Sequence, residues 1–154
     1  MKLRILKGVP GTRPGVQLPD PEFLNLLTEQ GLRKLINDHY ELLIKSEVRN
    51  LFPPEDPELE EAKLRASDFF IQICGGHPYY KENRGMPLMT QRHAPFAITP
   101  RAREVWLECY QQLLPGLSLP DEVVLSFWNY LNVFSLWMIN TKGPEDMNNL
   151  KIDL

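Results

Sequence analysis

Four times along this sequence a proline stands beside a residue able to cap a helix, and the spacing between these points suits helices. Asp20-Pro21, Asp56-Pro57 and Thr99-Pro100 each pair a capping side chain with a proline, and Ser118-Leu119-Pro120-Asp121 resembles a capping box. Proline has a fixed φ and no N–H, so it suits the first turn of a helix and disrupts its interior. The side chain before it can accept from the free N–H groups of that turn.

Between these starts the apolar residues recur every three or four positions, as one face of a helix requires. Leu24 and Leu27 belong to a short first helix, and Gly31 is read as the break before the next. That second helix carries Leu32, Leu35, Ile36, His39, Tyr40 and Leu43 on one side. Phe52-Pro53-Pro54 opens a rigid corner. Asp56 is expected to cap a helix showing Leu59, Ala62, Ala66, Phe69, Phe70 and Ile73 on one face, stopped by Gly75-Gly76. The small Ala62 and Ala66 on an inward face imply that a helix or a ligand approaches closely. Residues 76–98 form a long connection with one short helix expected around Pro87 to His93. A helix from Thr99-Pro100 presents Val105, Trp106, Cys109, Tyr110, Leu113 and Leu114, and a last helix follows Asp121. No stretch alternates as a strand does, so the fold class is all-α.

Composition narrows the function. The chain has 154 residues, 43% of them hydrophobic, which fits a single core. A net charge of −3 and the lack of a basic stripe with interleaved aromatics give no support for a nucleic-acid partner. Cys74 and Cys109 are too few for a disulfide framework and read as buried thiols. The uncharged run from Val123 to Thr141 has the length of a membrane span, but Ser126, Asn129, Asn132 and Ser135 give it a polar stripe. A buried helix is the better reading, and no membrane partner is expected. The first residues lack the apolar run of a signal peptide, so the expected location is cytoplasmic. There is no HExxH, paired CxxC, phosphate-cradling loop or nucleophile elbow. Cys74 and His77 could make half a zinc site without a second half.

The connection at 76–98 carries the chemistry. It holds His93 beside Arg92 and before Ala94-Pro95-Phe96. A buried imidazole can coordinate iron, and a guanidinium can pair with an anionic group such as a haem propionate. Gly75-Gly76-His77-Pro78-Tyr79-Tyr80, Arg84-Gly85-Met86-Pro87-Leu88, Arg92-His93-Ala94-Pro95-Phe96-Ala97-Ile98 and Arg103-Glu104-Val105-Trp106-Leu107-Glu108-Cys109 resemble the second group of the truncated haemoglobins.

The resemblance implies a globin-like two-over-two helical sandwich around haem b, with His93 as the proximal iron ligand. It implies that Tyr40 and Trp106 face a bound diatomic gas (O2, NO or CO). Phe52 would pack on the haem at the corner, Ala62 and Ala66 would face the iron, and Phe69 and Phe70 would wall the pocket. Arg92 and Tyr80 would meet the propionates. The implied organisation is an irregular N-terminal arm at 1–19, a truncated globin domain at 20–142 and a frayed tail at 143–154. The expected function is reversible O2 binding or oxygen transport, with NO-detoxifying or peroxidase-like turnover if a separate reductase supplies electrons. A globin-like module without haem, serving interaction or sensing, is the alternative.

Overall fold

The computed structural model describes residues 1–142, so the expected frayed tail at 143–154 lies outside the described residues. Among the described residues there are six α-helices: α1 Glu22–Leu43, α2 Glu58–Ile73, α3 Tyr79–Arg84, α4 Met89–His93, α5 Pro100–Leu113 and α6 Asp121–Leu136. No strand occurs among the described residues. The arrangement is the two-over-two globin sandwich, with α1 packing against α2, α5 and α6 and α5 against α6. Its core holds Phe23, Leu32, Ile36, Ile71, Leu107, Phe127, Trp128 and Leu131, all essentially buried.

Some helix starts behave as expected. The Asp20 carboxylate accepts from the Glu22 N–H at 2.9 Å, and the Thr99 hydroxyl accepts from the Ala102 N–H at 3.0 Å. Others differ. No side chain caps α2 or α6, so Asp56 is not a cap and Ser118 closes no capping box. The break expected at Gly31 lies at Thr28, which takes φ 70° within α1. The reason is local: the Thr28 hydroxyl accepts from the Gly31 N–H at 3.2 Å and caps the second half of the helix. A β-branched residue in this backbone region is strained, and that bond supports it. At the end of α2, Gly75 adopts φ 88° and the Gly76 N–H reaches the Ile71 carbonyl at 2.9 Å, the glycine stop that was expected. The 76–98 connection holds two short helices rather than one, because α3 forms at Tyr79–Arg84.

The N-terminal arm has no regular structure but is firmly held. Leu3 and Ile5 pack on the core while Lys2, Arg4 and Leu6 point outward. The polar stripe of α6 anchors it. Asn132 accepts from the Leu6 N–H at 3.0 Å, Trp128 donates to the Arg4 carbonyl at 3.2 Å, and Ser126 accepts from the Asp20 N–H at 3.0 Å. Gly8 allows close passage, since a Cβ there would collide with Leu136 and Ile139. The buried Arg103 guanidinium completes the anchor. It donates to the Ser135 hydroxyl at 2.9 Å, to the Asn132 carbonyl at 2.7 Å and to the Leu6 carbonyl. Within the stripe that argued against a membrane span, Asn132 holds the arm directly and Ser135 holds the Arg103 that reaches it. No helix of the described residues is long and apolar enough to cross a membrane.

Arg103→Met should leave the Leu6 carbonyl without its donor and the Asn132 carbonyl with only the Ser135 hydroxyl, at a cost of about 1–3 kcal/mol. Urea unfolding should show that loss, and limited proteolysis should cut faster within residues 1–19. Unchanged cleavage of the arm would show that Arg103 does not hold it.

Candidate functional site

The two helix pairs do not close on each other completely. Between them lies a cavity of about 670 Å³, within the range of roughly 300–1,000 Å³ usual for cofactor pockets. All ten residues singled out from the sequence line it: Tyr40, Phe52, Ala62, Ala66, Phe69, Phe70, Tyr80, Arg92, His93 and Trp106.

One wall comes from the connection at 79–98. Leu88 takes a left-handed conformation (φ 42°, ψ 48°) to start α4, a single turn ending at His93. The His93 Nδ1–H donates to the Met89 carbonyl at 2.7 Å. This assigns the tautomer and leaves Nε2 as the lone-pair nitrogen, without a hydrogen-bond partner among the described residues. Burial lowers the pKa of this imidazole, so the neutral form that a metal needs is favoured. The Asn140 amide ties the rest of the wall down, donating to the Phe96 carbonyl at 2.8 Å and accepting from the Ile98 N–H at 2.9 Å.

Arg92 is more occupied than an ion-pairing role alone requires. Its Nε donates to the Pro87 carbonyl at 2.6 Å, and its Nη2 donates to the carbonyls of Arg84 at 2.9 Å and Met86 at 3.0 Å. Only Nη1 is left over for an anion. The guanidinium also lies 5.4 Å from the centre of the Tyr80 ring, which Arg84 approaches at 5.7 Å. Arg92 therefore folds the turn that precedes α4, and Tyr80 is buried beneath two cations. Arg84 is anchored in turn by the buried Asp68 carboxylate at 2.8 Å, which also binds Arg33 at 3.0 Å.

The opposite wall is built on long helices. Ala62 and Ala66 present only methyl groups, and Phe69 meets Phe134 at 5.6 Å between ring centres. Phe52 packs edge-on against Tyr40 at 5.6 Å. The Tyr40 hydroxyl and the Trp106 Nε1–H have no protein partner among the described residues, although Trp128 and Trp137 both donate to carbonyls. Burial pushes the Tyr40 pKa up to about 12, so its hydroxyl keeps its proton. The Tyr40 hydroxyl and the Trp106 N–H thus border the cavity, as does the Tyr110 hydroxyl, which likewise has no partner among the described residues.

Sequence reasoning did not single out His39, Tyr110, Met89, Arg103, Phe134 or Met138, which also line the cavity. Tyr110 lies one turn beyond Trp106 on the same face of α5, a spacing that could have marked it. His39 adjoins Tyr40 but points into the core. His77 stands at the surface, 2.8 Å from Glu82, and Cys74 is buried. Among the described residues no cluster of His, Cys, Asp or Glu could hold a metal ion by itself.

These residues fit haem. The cavity is of cofactor size, mostly apolar, and offers one neutral imidazole nitrogen from one wall and hydrogen-bond donors from the other.

A family model described as bacterial-like globin matches residues 24–140. The chain is 29% identical over 118 residues to the group 2 truncated hemoglobin YjbI of Bacillus subtilis, covering 77% of this chain and 88% of that protein. Among solved structures it resembles phosphate-bound Hell's gate globin IV, with TM-score 0.80 and 38% identity over 84% of this chain and 81% of that one. It also resembles the truncated oxygen-avid haemoglobin from Bacillus subtilis, with TM-score 0.71 and 27% identity over 77% and 98% of the two chains.

His39 predicts a pH dependence. Burial lowers its pKa from 6.5 to about 3, so between these values the unfolded chain binds the extra proton and acid favours unfolding. The contribution is fully present above pH 6.5 and falls by roughly 1.4 kcal/mol per pH unit below it. The stability gap between wild type and His39→Gln should therefore narrow by about 2 kcal/mol from pH 7.5 to 5 in urea unfolding. A gap independent of pH would refute the buried neutral state.

Proposed function

This chain belongs to the bacterial-like globin family, with the group 2 truncated haemoglobins as its relatives, and from that premise we propose that it holds one haem b and reversibly binds O2. The observation that carries the proposal is the free Nε2 of His93, at the wall of a cofactor-sized, mostly apolar cavity whose other wall presents unpartnered donors at Tyr40 and Trp106. His93 is the proximal ligand. The hydrogen bond from its Nδ1–H to Met89 fixes the ring and increases its basicity, as partners of metal-bound imidazoles do. Neither cysteine lines the cavity, and the chain has no Cys-x-x-Cys-His attachment motif, so the haem is held without covalent links.

When bound, the haem supplies an iron atom able to take up a diatomic gas. The chain's own residues then govern retention. Phe52, Phe69 and Phe70 exclude water, and Ala62 and Ala66 leave room without adding polarity. Tyr40 and Trp106 donate toward the gas, favouring O2, which gains partial negative charge on binding, over CO, which gains much less. Arg92 offers Nη1 to a propionate, with Tyr80 beneath it. The oxygen-avid character stated for the Bacillus subtilis relative supports retention rather than rapid delivery. NO detoxification or peroxidase-like turnover in the cytoplasm would draw electrons from a separate reductase.

The direct test is the visible spectrum of the purified protein, reduced and then exposed to carbon monoxide. Wild type should show a haem spectrum that changes on adding the gas. His93→Leu should lose stable ferrous haem, while His77→Ala should keep it. Haem retained in His93→Leu and lost in His77→Ala would overturn the assignment, and no haem in wild type would favour the interaction-module alternative.

The donor wall yields a second prediction. A hydrogen bond to a charged group contributes about 1.5–3 kcal/mol, or roughly ten- to a hundredfold in rate. Tyr40→Phe and Trp106→Phe should each speed O2 release by about that factor and barely change CO release. Because both address one ligand, the double mutant should depart from additivity. Stopped-flow release from all four proteins decides it, and wild-type O2 release in the double mutant would eliminate the donors.

A further inference from the structure

One buried group at the donor wall has no role in the proposed function. His39 is 1% exposed, yet the three polar aromatics of that wall all meet it. Its Nε2–H donates at 2.9 Å to the carbonyl of Trp106, crossing from α1 to α5. A carbonyl only accepts, so this nitrogen carries the proton. Its face stacks on Tyr110 at 3.7 Å with the planes 18° apart. Its edge meets Trp106 at 5.3 Å and Tyr40 at 6.4 Å, each at 89°.

The geometry points to His39 as a positioning residue for the donor wall: one imidazole sets the indole of Trp106 and the ring of Tyr110, and so the direction of the Trp106 N–H into the cavity. We infer this from what imidazole alone provides. Phenylalanine would fill the slot and stack as well, without the cost of burying a polar ring. What it would lack is the hydrogen bond to the residue carrying the cavity-facing donor. That bond ties α1 to α5 at Trp106 itself, where a small displacement would misdirect the indole. Trp106 and Tyr110 lie one turn apart on α5, so the hydrogen bond and the stack together restrain α5 against both sliding and rotation. Tyr110 is itself 1% exposed and lines the cavity, and its hydroxyl has no hydrogen-bond partner among the described residues. The inference rests on the haem reading only for what the donors address.

Two variants separate the hydrogen bond from the stack. His39→Phe keeps a flat ring and loses the donor, whereas His39→Gln keeps an N–H donor and loses the ring. In the haem-loaded protein under carbon monoxide, the C–O stretching band reports the field of the donors around the gas. His39→Phe should move this band toward its position in Trp106→Phe and speed O2 release about fivefold, the equivalent of one ordinary hydrogen bond, with little change in CO release. His39→Gln should restore most of both. Should His39→Phe not fold, His39→Leu takes its place.

The inference fails if the donorless variant keeps the wild-type band and O2 release. It fails equally if both variants speed O2 and CO release alike, since that would be general loosening. A wild type without haem would instead defeat the haem reading. The positioning claim would then stand or fall on the near-ultraviolet circular dichroism of Trp106, assigned with Trp106→Phe, which the donorless variant must alter and His39→Gln must preserve.

Discussion

Protein interiors pack to the density of organic crystals, with few voids larger than a water molecule. Between the α1–α2 and α5–α6 pairs this chain departs from that by about 670 Å³. Two longer side chains at Ala62 and Ala66 would reduce the gap, and two methyl groups stand there instead. The remaining structure is arranged to keep the space open: helices fixed outside it, a corner of prolines across one side, and a wall of short helices across the other. This constraint explains why so small a domain spends hydrogen bonds and ion pairs on its periphery.

The walls differ in stiffness because they differ in construction. The donor wall stands on α1, α2 and α5, each of at least fourteen residues, so its side chains are placed by helix packing. The His93 wall has a five-residue helix that could not hold itself in water. It depends on bonds from outside: Arg92 gathering the carbonyls of Arg84, Met86 and Pro87, Asn140 clamping Phe96 and Ile98, and Asp68 holding Arg84. Arg92 therefore shapes the wall through those three carbonyls.

Helix existence was legible because proline and apolar periodicity act locally. Three or four turns of amphipathic pattern specify a helix and the face it buries. Cap details were less legible. Asp56 and Ser118 have the right chemistry, but backbone carbonyls and the corner geometry meet the need at those ends. Gly31 drew attention as a break, while Thr28 three residues earlier makes it through a side-chain hydrogen bond that spacing does not reveal. The polar stripe on α6 was visible, but its partner, an arm more than a hundred residues away, was not. The ten cavity residues were legible through motif resemblance, which encodes long-range packing that periodicity lacks. Asn140 and His39 act through contacts that leave no pattern in one sequence.

Polar groups buried in the core and polar groups at the cavity wall differ in how they are partnered, and that division carries the functional argument. Arg103, Asn132 and Ser135 satisfy one another and the arm, Lys63 binds Asn37 and Glu41, and Asp68 sits between two arginines. These are structural, since removing a partner would strand a buried group. The Tyr40 hydroxyl, the Trp106 N–H and the His93 Nε2 have no partner among the described residues, and all three belong to residues that line one cavity. All three residues are half-buried at the cavity wall, so one group bound in that space can partner them together. A Lewis-acidic atom or a hydrogen-bond donor satisfies the imidazole lone pair, and an electron-rich group satisfies the donors of the other wall. Haem, which membership of the globin family implies, would supply a Lewis-acidic iron to such an imidazole, whereas water alone could serve the donors but gives the imidazole orientation no purpose.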